Sequence, residues 1–356
     1  YTPRPVVSYI VRSVHELLQT EFGLADGLAD TATWGEMLAK HPGLKLPLLS
    51  DSPGETKTIS PDEPFVQILD PATGTATFLV EVIEVIYQTL KAKWKGQRLT
   101  EAQQVVAWND YVPRHLLPRL HGFELMMAPY AIAHMKIGLK LAETGYRFGT
   151  EERARIYLTN ALEPWLKQLP LIGFDALAHE AAAVNEIKRH KRFTVVIGNP
   201  PYSNFGMMNK IPFILELLED YKRGLDEKKL NLDDDFIKFM RLAQWEIGIT
   251  GCGVVGLITN NTFIDGITHR QMRAAIRSTF SKIYVLDLHG SSSKKESCPD
   301  GTKDENVFDI QQGVGVSLFV SKPTEDSHVS HADGWGVRGA KYTSLEKVSV
   351  RSTEWK

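Results

Sequence analysis

The chain has 356 residues, of which 43% are hydrophobic and 24% charged, and its formal net charge is −2. These values are ordinary for a globular protein with a large core, and they exclude a general basic field that would attract nucleic acid. Cys252 and Cys298 have no metal-ligand spacing, and no apolar run is long enough to span a membrane. We therefore expect a cytoplasmic location and no metal ion.

The amino-terminal part predicts one helix followed by an irregular connection. Apolar residues between Val6 and Leu18 recur at helical spacing, and prolines stand at the start of the pattern. Residues 23–64 are rich in Gly, Pro, Asp and Ser and lack a period, apart from a short helix near residues 34–40. Residues 1–64 are therefore treated as one N-terminal segment. Because Tyr1 leads directly into the helix, we expect the chain to be part of a longer polypeptide.

Residues 65–322 alternate predicted strands and predicted helices. The strands are at residues 65–70, 121–125, 155–160, 195–198, 253–260 and 283–288. The helices begin near residues 78, 100 and 129, and further helices cover residues 175–188, 233–248 and 266–279. Residues 307–310 and 313–320 flank Gln311-Gln312 and predict an antiparallel hairpin. Beyond Pro323 the pattern fades, so we expect a C-terminal extension over residues 323–356.

This alternation predicts an α/β fold with a doubly wound, mostly parallel seven-stranded sheet and the hairpin at its end. Ligands of such sheets bind beyond the carboxyl ends of the strands. Asp70, Glu124, Asn160 and Asn199 all follow predicted strands and would lie at that edge. Residues 65–322 are therefore the predicted catalytic core.

The most specific stretch is VVIGNPPYS at residues 195–203. Its β-branched residues predict a short strand buried on both faces, which ends at Gly198. Pro200 and Pro201 fix two φ angles and keep Asn199 out of the helical region. An amide, a proline carbonyl and the ring of Tyr202 are thus held in one stiff turn. Such a turn suits a flat heterocycle that carries an amino group.

Three motifs resemble those of one family: YTPRPVV at the start, DPATGTATFL at residues 70–79, and NPPY at residues 199–202. Together they are similar to the gamma class of amino-group DNA methyltransferases, which use S-adenosylmethionine. The opening YTPRPVVSYIV, the QILDPATGT segment and the VFDIQQGV segment more narrowly resemble single-polypeptide type ISP restriction–modification enzymes. The resemblance covers residues 1–320 and implies a Rossmann-like methyltransferase fold.

The resemblance also implies a cofactor site formed by the opening segment, the turn after the first strand and the ends of the next two strands. Its residues are Tyr1, Thr2, Pro3, Asp70, Ala72, Gly74, Glu124 and Asn160. The opening three would line the methionine end of the cofactor, and Glu124 would hold the ribose hydroxyls. Asn160 stands where the family usually has an aspartate against the adenine amino group. Ala76 stands where the family usually has glycine, which would hurt cofactor binding if the backbone there needs a positive φ.

The catalytic residues that the family implies are Asn199, Pro200, Pro201, Tyr202 and Phe308. The Asn199 side chain and the Pro200 carbonyl would accept hydrogen bonds from the target amino group. Tyr202 would stack on the target base, and Phe308 would pack against the base once it is flipped out. The implied reaction is methyl transfer to N6 of adenine in double-stranded DNA, as the modification part of a restriction–modification enzyme.

Three alternatives remain open at this point. The first two are other methyl acceptors with similar amino groups: cytosine, methylated at N4, and a glutamine side chain in a protein. An inactive cofactor-binding module is the third alternative, and Ala76 is its support. The resemblance further implies that a target-recognition region begins within residues 323–356. It also implies covalently linked helicase and nuclease parts outside this chain.

Two groups of basic residues stand next to predicted strands. His269, Arg270 and Arg273 follow the fifth strand on the cleft side and are candidates for binding phosphate. The run at residues 188–192 precedes the fourth strand and lies far from the NPPY turn, so we assign it to the solvated amino-terminal edge of the sheet.

Overall fold

The structure is a computed structural model, which describes residues 2–49, 56–149, 152–165, 175–202, 210–227, 232–323 and 327–356. Its strands are β1 (Ile68–Asp70), β2 (Leu120–Glu124), β3 (Arg155–Leu158), β4 (Val195–Gly198), β5 (Gly253–Asn260), β6 (Lys282–Asp287), β7 (Val314–Ser321) and β8 (His328–Asp333). Its helices are α1 (Arg4–Phe22), α2 (Trp34–Lys40), α3 (Thr77–Gly96), α4 (Glu101–Tyr111), α5 (Met127–Glu143), α6 (Asp175–His190), α7 (Pro212–Lys222), α8 (Asp235–Thr250), α9 (Thr262–Asp265), α10 (Arg270–Thr279) and α11 (Arg338–Lys347).

The eight strands form one sheet in the order β3-β2-β1-β4-β5-β7-β6-β8. All neighbouring pairs are parallel except those of β7, which is antiparallel to both β5 and β6. The chain reverses its direction of progress across the sheet between β1 and β4. The prediction of a doubly wound, mostly parallel α/β sheet with an antiparallel part is confirmed, and the described residues contain eight strands where seven were expected.

Two helix layers cover the sheet, because alternate residues of each strand point to opposite faces. Val195 and Ile197 of β4 pack in the core beneath α1, α3, α5 and α11. Val196 packs on the other face with α6, α8 and α10, outside which α7 lies. Every residue of β5 is buried, as expected for a central strand between two layers.

The parallel strands bring their carboxyl ends to one edge of the sheet. Asp70 and Glu124 are the last residues of β1 and β2, and Asn199 directly follows β4. Asn160 comes two residues after β3. These four side chains therefore lie along one edge, as the sequence predicted.

The predicted hairpin is not formed as such. The second half is β7, but residues 307–310 are an irregular loop, which we call the Phe308 loop (residues 304–313). Carbonyls of this loop accept side-chain hydrogen bonds from α11. The hydroxyl of Tyr342 donates to the Val307 carbonyl at 2.6 Å, and Arg338 donates to the Phe308 carbonyl at 2.9 Å.

The segment after Pro323 is integrated into the same body. β8 pairs in parallel with β6, and α11 packs against α1. The guanidinium of Arg12 in α1 donates to the carbonyls of Leu345 and Val348 at 2.6 and 2.9 Å. The boundaries at residues 64 and 322 stay predictions. Within the described residues, none of the helices combines the length and apolar character needed to cross a membrane.

Candidate active site at the carboxyl edge of the sheet

The turn after β1 is held by its own residues. One Asp70 oxygen, Oδ1, accepts the Ala72 N–H at 3.1 Å, and the Thr73 hydroxyl donates to the Asp70 carbonyl at 2.9 Å. Gly74 then has φ +55°, in the left-handed region that glycine tolerates. The turn leads into α3, so the first N–H groups of α3, which have no partner within the helix, face the edge of the sheet.

Glu124 ties this turn to β2. Its Oε2 accepts the Gly74 N–H and its Oε1 accepts the Met126 N–H, both at 2.8 Å. The side chain is buried, and each carboxylate oxygen retains a second acceptor site. Glu124 can therefore hold the turn and still accept hydrogen bonds from a pair of ligand hydroxyls.

Asp70 is 1% exposed, and its Oδ2 has no hydrogen-bond partner within the described part of the chain. Burial raises the pKa of this carboxyl to about 7, the Ala72 N–H opposes the rise, and the charge of Glu124 adds to it. A Cβ on Gly198 would lie 2.8 Å from Asp70 Oδ1, so only glycine lets β4 approach the carboxyl this closely. The orphaned oxygen fits a ligand that carries a positive charge, as S-adenosylmethionine does.

Ala76 adopts φ +62° and ψ +31° immediately before α3. This is the left-handed conformation for which the family's glycine would be suited, and here a fully buried alanine adopts it. The strain is therefore present, on the order of 1–2 kcal/mol, while the turn keeps its hydrogen bonds. Its effect on cofactor affinity stays a prediction.

Asn160 uses its side-chain oxygen within its own turn. Oδ1 accepts the Leu162 N–H at 3.1 Å, and the Asn160 carbonyl accepts a hydrogen bond from Lys188 Nζ at 2.7 Å. Lys188 also donates to the Glu163 carbonyl, and burial lowers the pKa of its ammonium group to about 8. The Thr159 N–H donates to the Glu124 carbonyl at 2.8 Å, which places this turn beside Glu124.

The NPPY turn places Asn199 between two hydroxyl groups. Asn199 Nδ2 donates to Thr2 Oγ1 at 2.9 Å, and the Tyr202 hydroxyl lies 2.7 Å from Asn199 Oδ1 and 3.1 Å from the Ile258 carbonyl. Pro200 is buried and Pro201 is exposed. Burial holds the pKa of the Tyr202 phenol well above its usual value, so the group stays a neutral donor.

Phe308 lies against the NPPY turn although it comes from a loop more than a hundred residues later. Its ring centroid is 6.4 Å from that of Tyr202, and the planes meet at 76°. Arg338 braces the Phe308 loop through the carbonyls of Asn306 and Phe308 and an ion pair with Asp309 at 2.7 Å. The predicted packing partner of a flipped base is thus next to the predicted stacking residue.

The structure brings the predicted residues together by direct contacts. Thr2, Asn199, Tyr202 and Phe308 form one chain of contacts, and Gly198 joins it to Asp70. Pro3 precedes α1, and its carbonyl accepts the first N–H bonds of the helix. Tyr1 lies outside the described residues.

Sequence reasoning missed two contributions to this site. It assigned Thr2 to the cofactor alone, whereas Thr2 contacts Asn199; two polar residues 197 positions apart give no local signal of that contact. It also missed the bracing by Arg338, because α11 lies beyond the point where the pattern fades. The need for Gly198 could have been suspected from its place directly before the turn.

The proposed phosphate contacts stay a prediction, although His269 and Arg273 are used inside the protein and the Arg270 side chain is 41% exposed. His269 is buried, Arg270 forms an ion pair with Glu227, and Arg273 donates to the carbonyls of Phe263 and Gly266 at 2.8 Å.

The run at residues 188–192 departs from expectation, since it is not a solvated surface. Lys188 is largely buried, Arg192 is 4% exposed and Lys191 pairs with Glu63 at 3.0 Å. Across the described ranges, no group of three or more His, Cys, Asp or Glu side chains is arranged to hold a metal ion.

Comparison with known proteins finds one family and several solved structures that are similar to this chain. Residues 120–293, which include the NPPY turn, match the model of the Eco57I restriction-modification methylase family. The ATP-dependent type ISP restriction-modification enzyme LlaBIII, solved bound to DNA, is 26% identical with a TM-score of 0.70. The alignment covers 97% of this chain and 20% of LlaBIII. The middle of the chain is therefore similar to restriction–modification methylases.

More distant structures share the fold of this chain. The type ISP enzyme LlaGI, solved as a nuclease-deletion mutant with a DNA substrate mimic, is 20% identical with a TM-score of 0.71. DrdV in its DNA complex is 23% identical with a TM-score of 0.69. Both alignments cover 100% of this chain and 30% of the other. The chain thus spans less than a third of each of these three proteins. None of the curated protein sequences compared with it matches.

Proposed function

We propose that this chain transfers a methyl group from S-adenosylmethionine to the N6 amino group of a flipped adenine in DNA. The observation that carries the proposal is the position of Asn199. Its amide is fixed between Thr2 and Tyr202, and Gly198 before it touches Asp70 of the turn that would hold the cofactor. The methyl acceptor and the methyl donor would therefore bind next to each other.

The cofactor residues proposed are those of the carboxyl edge and the opening segment: Tyr1, Thr2, Pro3, Asp70, Ala72, Gly74, Glu124 and Asn160. The free oxygen of Asp70 suits the positively charged methionine end, and the remaining acceptor sites of Glu124 suit the ribose hydroxyls. When bound, S-adenosylmethionine supplies an electrophilic methyl group on a good leaving group.

The chain's own residues would act on the amino group and the base. An aromatic amine is a poor nucleophile because its lone pair is delocalised into the ring. Asn199 Oδ1 has a second acceptor site beside the one that Tyr202 takes. The Pro200 carbonyl has two acceptor sites, as every backbone carbonyl does. Two acceptors on the two amine hydrogens would localise the lone pair for in-line attack, so that positioning and fixed dipoles lower the barrier.

Tyr202 and Phe308 would hold the extruded base. Taking a base out of the stack costs a few kcal/mol, and stacking on an aromatic side chain returns about 1–3 kcal/mol. The edge-on contact between the two rings gives a corner with two apolar walls. Pro201 would stiffen that corner.

Two further parts of the proposal concern the whole enzyme. LlaBIII is described as ATP-dependent, and LlaGI was solved without its nuclease, so we propose linked target-recognition, helicase and nuclease parts for the polypeptide that contains this chain. A cytoplasmic location follows from DNA as the substrate. Cytosine N4, protein glutamine and an inactive cofactor-binding module stay as alternatives.

The test is Asn199→Ala in the complete polypeptide, expressed in cells that lack adenine methylation. We expect N6-methyladenine in DNA with the unaltered protein and none with the variant, while calorimetry shows that S-adenosylmethionine still binds. Gln88→Ala, an amide lost from the exposed face of α3, is the matched control and should methylate normally. Methylation by Asn199→Ala would contradict the assigned role. Mass spectrometry of DNA nucleosides separates adenine N6 from cytosine N4 methylation, and mass spectrometry of protein detects methylated glutamine. Failure of the unaltered protein to bind S-adenosylmethionine would contradict all of the methyltransferase proposals.

A further inference from the structure

The amide of Asn199 has a neighbour that the cofactor assignment of Thr2 does not explain. Thr2 Oγ1 accepts a hydrogen bond from Asn199 Nδ2 at 2.9 Å. Thr2 is 8% exposed, so water competes little for this bond. On the opposite side of the amide, Tyr202 donates to Oδ1 at 2.7 Å.

This contact matters because an amide has two nearly equivalent orientations. The terminal torsion of an asparagine side chain is soft, and rotation by 180° exchanges the oxygen with the NH₂ group at little steric cost. Only one orientation presents an acceptor to an incoming amino group. The rotated amide would present N–H to N–H, which offers no hydrogen bond.

The Tyr202 hydroxyl favours the observed orientation because it donates to Oδ1, and Thr2 is well placed to hold that orientation because its own position is fixed. The next residue, Pro3, directly precedes α1, and the Pro3 carbonyl accepts the N–H groups of Val6 and Val7 at 3.1 and 3.2 Å. Val6 and Val7 are fully buried in the core under the sheet. The Thr2 hydroxyl is thereby attached to a helix that cannot shift without unpacking the core.

We propose that Thr2 is a positioning residue, which accepts from Nδ2 of Asn199 and so keeps Oδ1 directed at the target amino group. The inference rests on the proposed function, since it assigns Thr2 a part in methyl transfer as well as in holding the cofactor. It makes the opening segment of the chain a component of the acceptor site.

The first test compares Thr2→Val, Thr2→Ala and Thr2→Ser at saturating S-adenosylmethionine. Valine and alanine remove the hydroxyl, and valine keeps nearly the volume of threonine. We expect kcat for DNA methylation to fall about tenfold in both, as for the loss of one neutral hydrogen bond of about 1.4 kcal/mol. Serine should restore it. An unchanged kcat with only a weaker cofactor Kd would overturn the proposal, because Thr2 would then serve the cofactor alone.

The second test does not depend on methylation. In protein labelled with ¹⁵N-asparagine, the side-chain NH₂ signal of Asn199 is assigned by its loss in Asn199→Asp. We expect its hydrogen exchange to be about tenfold faster in Thr2→Val than in the unaltered protein or Thr2→Ser. Equal exchange in all three would overturn the inference. If exchange were faster in Thr2→Val but the unaltered protein did not methylate DNA, the hydrogen bond would be supported and the proposed function would be refuted.

Discussion

At the scale of single residues, Asp70 combines burial with an unpartnered oxygen. One oxygen accepts the Ala72 N–H, and the other has no partner among the described residues. Desolvation therefore dominates, and the pKa of Asp70 rises from 3.8 to about 7. Because it is buried, this carboxyl is harder to ionise than a carboxyl in water, and a cation beside it would favour the ionised form.

We predict a pH-dependent cost of Asp70 to stability. Between pH 4 and pH 7 the folded state binds more protons at this site than the unfolded state, so the free energy of unfolding falls as the pH rises through that window. The full cost, present above pH 7, has an upper limit of roughly 4 kcal/mol. Asp70→Asn should remove it, so that urea unfolding shows the variant gaining stability relative to the unaltered protein from pH 5 to pH 8.

A constant difference between the two proteins at both pH values would contradict this prediction. The comparison must be a difference, because burial also raises the pKa of Glu246 to about 7 and adds a slope of the same sign to both proteins.

The residue scale also shows what local sequence could reveal. The predicted strands were sufficient to place Asp70, Glu124 and Asn199 at one edge, since each ends or directly follows a strand in a parallel sheet. The partner of Asn199 could not be predicted, because Thr2 is 197 positions away and the contact depends on how α1 packs. Nor could the ion pair of Arg270 with Glu227 or the hydrogen bonds of Arg273 be predicted, because a basic residue in sequence carries no sign of its acceptor.

At the scale of elements, α11 is a support for the Phe308 loop. Lys341 donates to the carbonyls of Leu288 and Glu305 at 2.6 and 2.7 Å, and it pairs with Asp304 at 2.7 Å. The side chains of Lys341 and Asp304 are 1% and 0% exposed. A buried ion pair contributes little net stability, but removing one partner leaves the other charge uncompensated.

We therefore predict that Lys341→Met lowers the free energy of unfolding by about 3–5 kcal/mol. Combining it with Asp304→Asn, which removes the stranded charge, should recover part of that loss. Chemical denaturation of the two single variants and the double variant measures the coupling. Simple additivity of the single effects would show that the pair does not act as a unit.

The elements that were predicted correctly and those that were missed differ in how their sequences encode them. β1 to β6 are short apolar runs between helices, and their positions agree with expectation to within a few residues. β8 was missed because residues 328–333 (HVSHAD) are mostly polar and show no apolar alternation, as an edge strand that is half exposed can. Residues 307–310 have the apolar content of a strand, but Val307 is buried as part of a loop held by α11.

At the scale of the whole molecule, the first and last parts of the described chain complete one layer. α1 lies over β5 and β7 and packs against both α3 and α11. The Val350 N–H donates to the Ser13 hydroxyl at 3.0 Å, and the hydroxyls of Tyr9 and Thr353 are also 3.0 Å apart. The order of strands in the sheet could be guessed from the alternation, whereas this closure joins residues more than 300 positions apart and has no periodic signal.

We predict that removing residues 323–356 abolishes cooperative unfolding. The deletion would leave one edge of β6 without β8 and would expose the buried face of α1 that α11 covers. Thermal circular dichroism of the shortened chain should show a broad transition or aggregation, where the unaltered protein shows one sharp transition. A sharp transition with an unchanged midpoint would show that these residues form a separate extension after all.

The closure between the two ends also determines how a mechanical load would travel. Lys356 exchanges both backbone hydrogen bonds with His331, and the residues just before it are fastened to α1. A displacement of Lys356 would reach α1 through these hydrogen bonds, and Thr2 lies two residues before the start of α1. Lys356 and the proposed acceptor site at Thr2 are thus connected through α1.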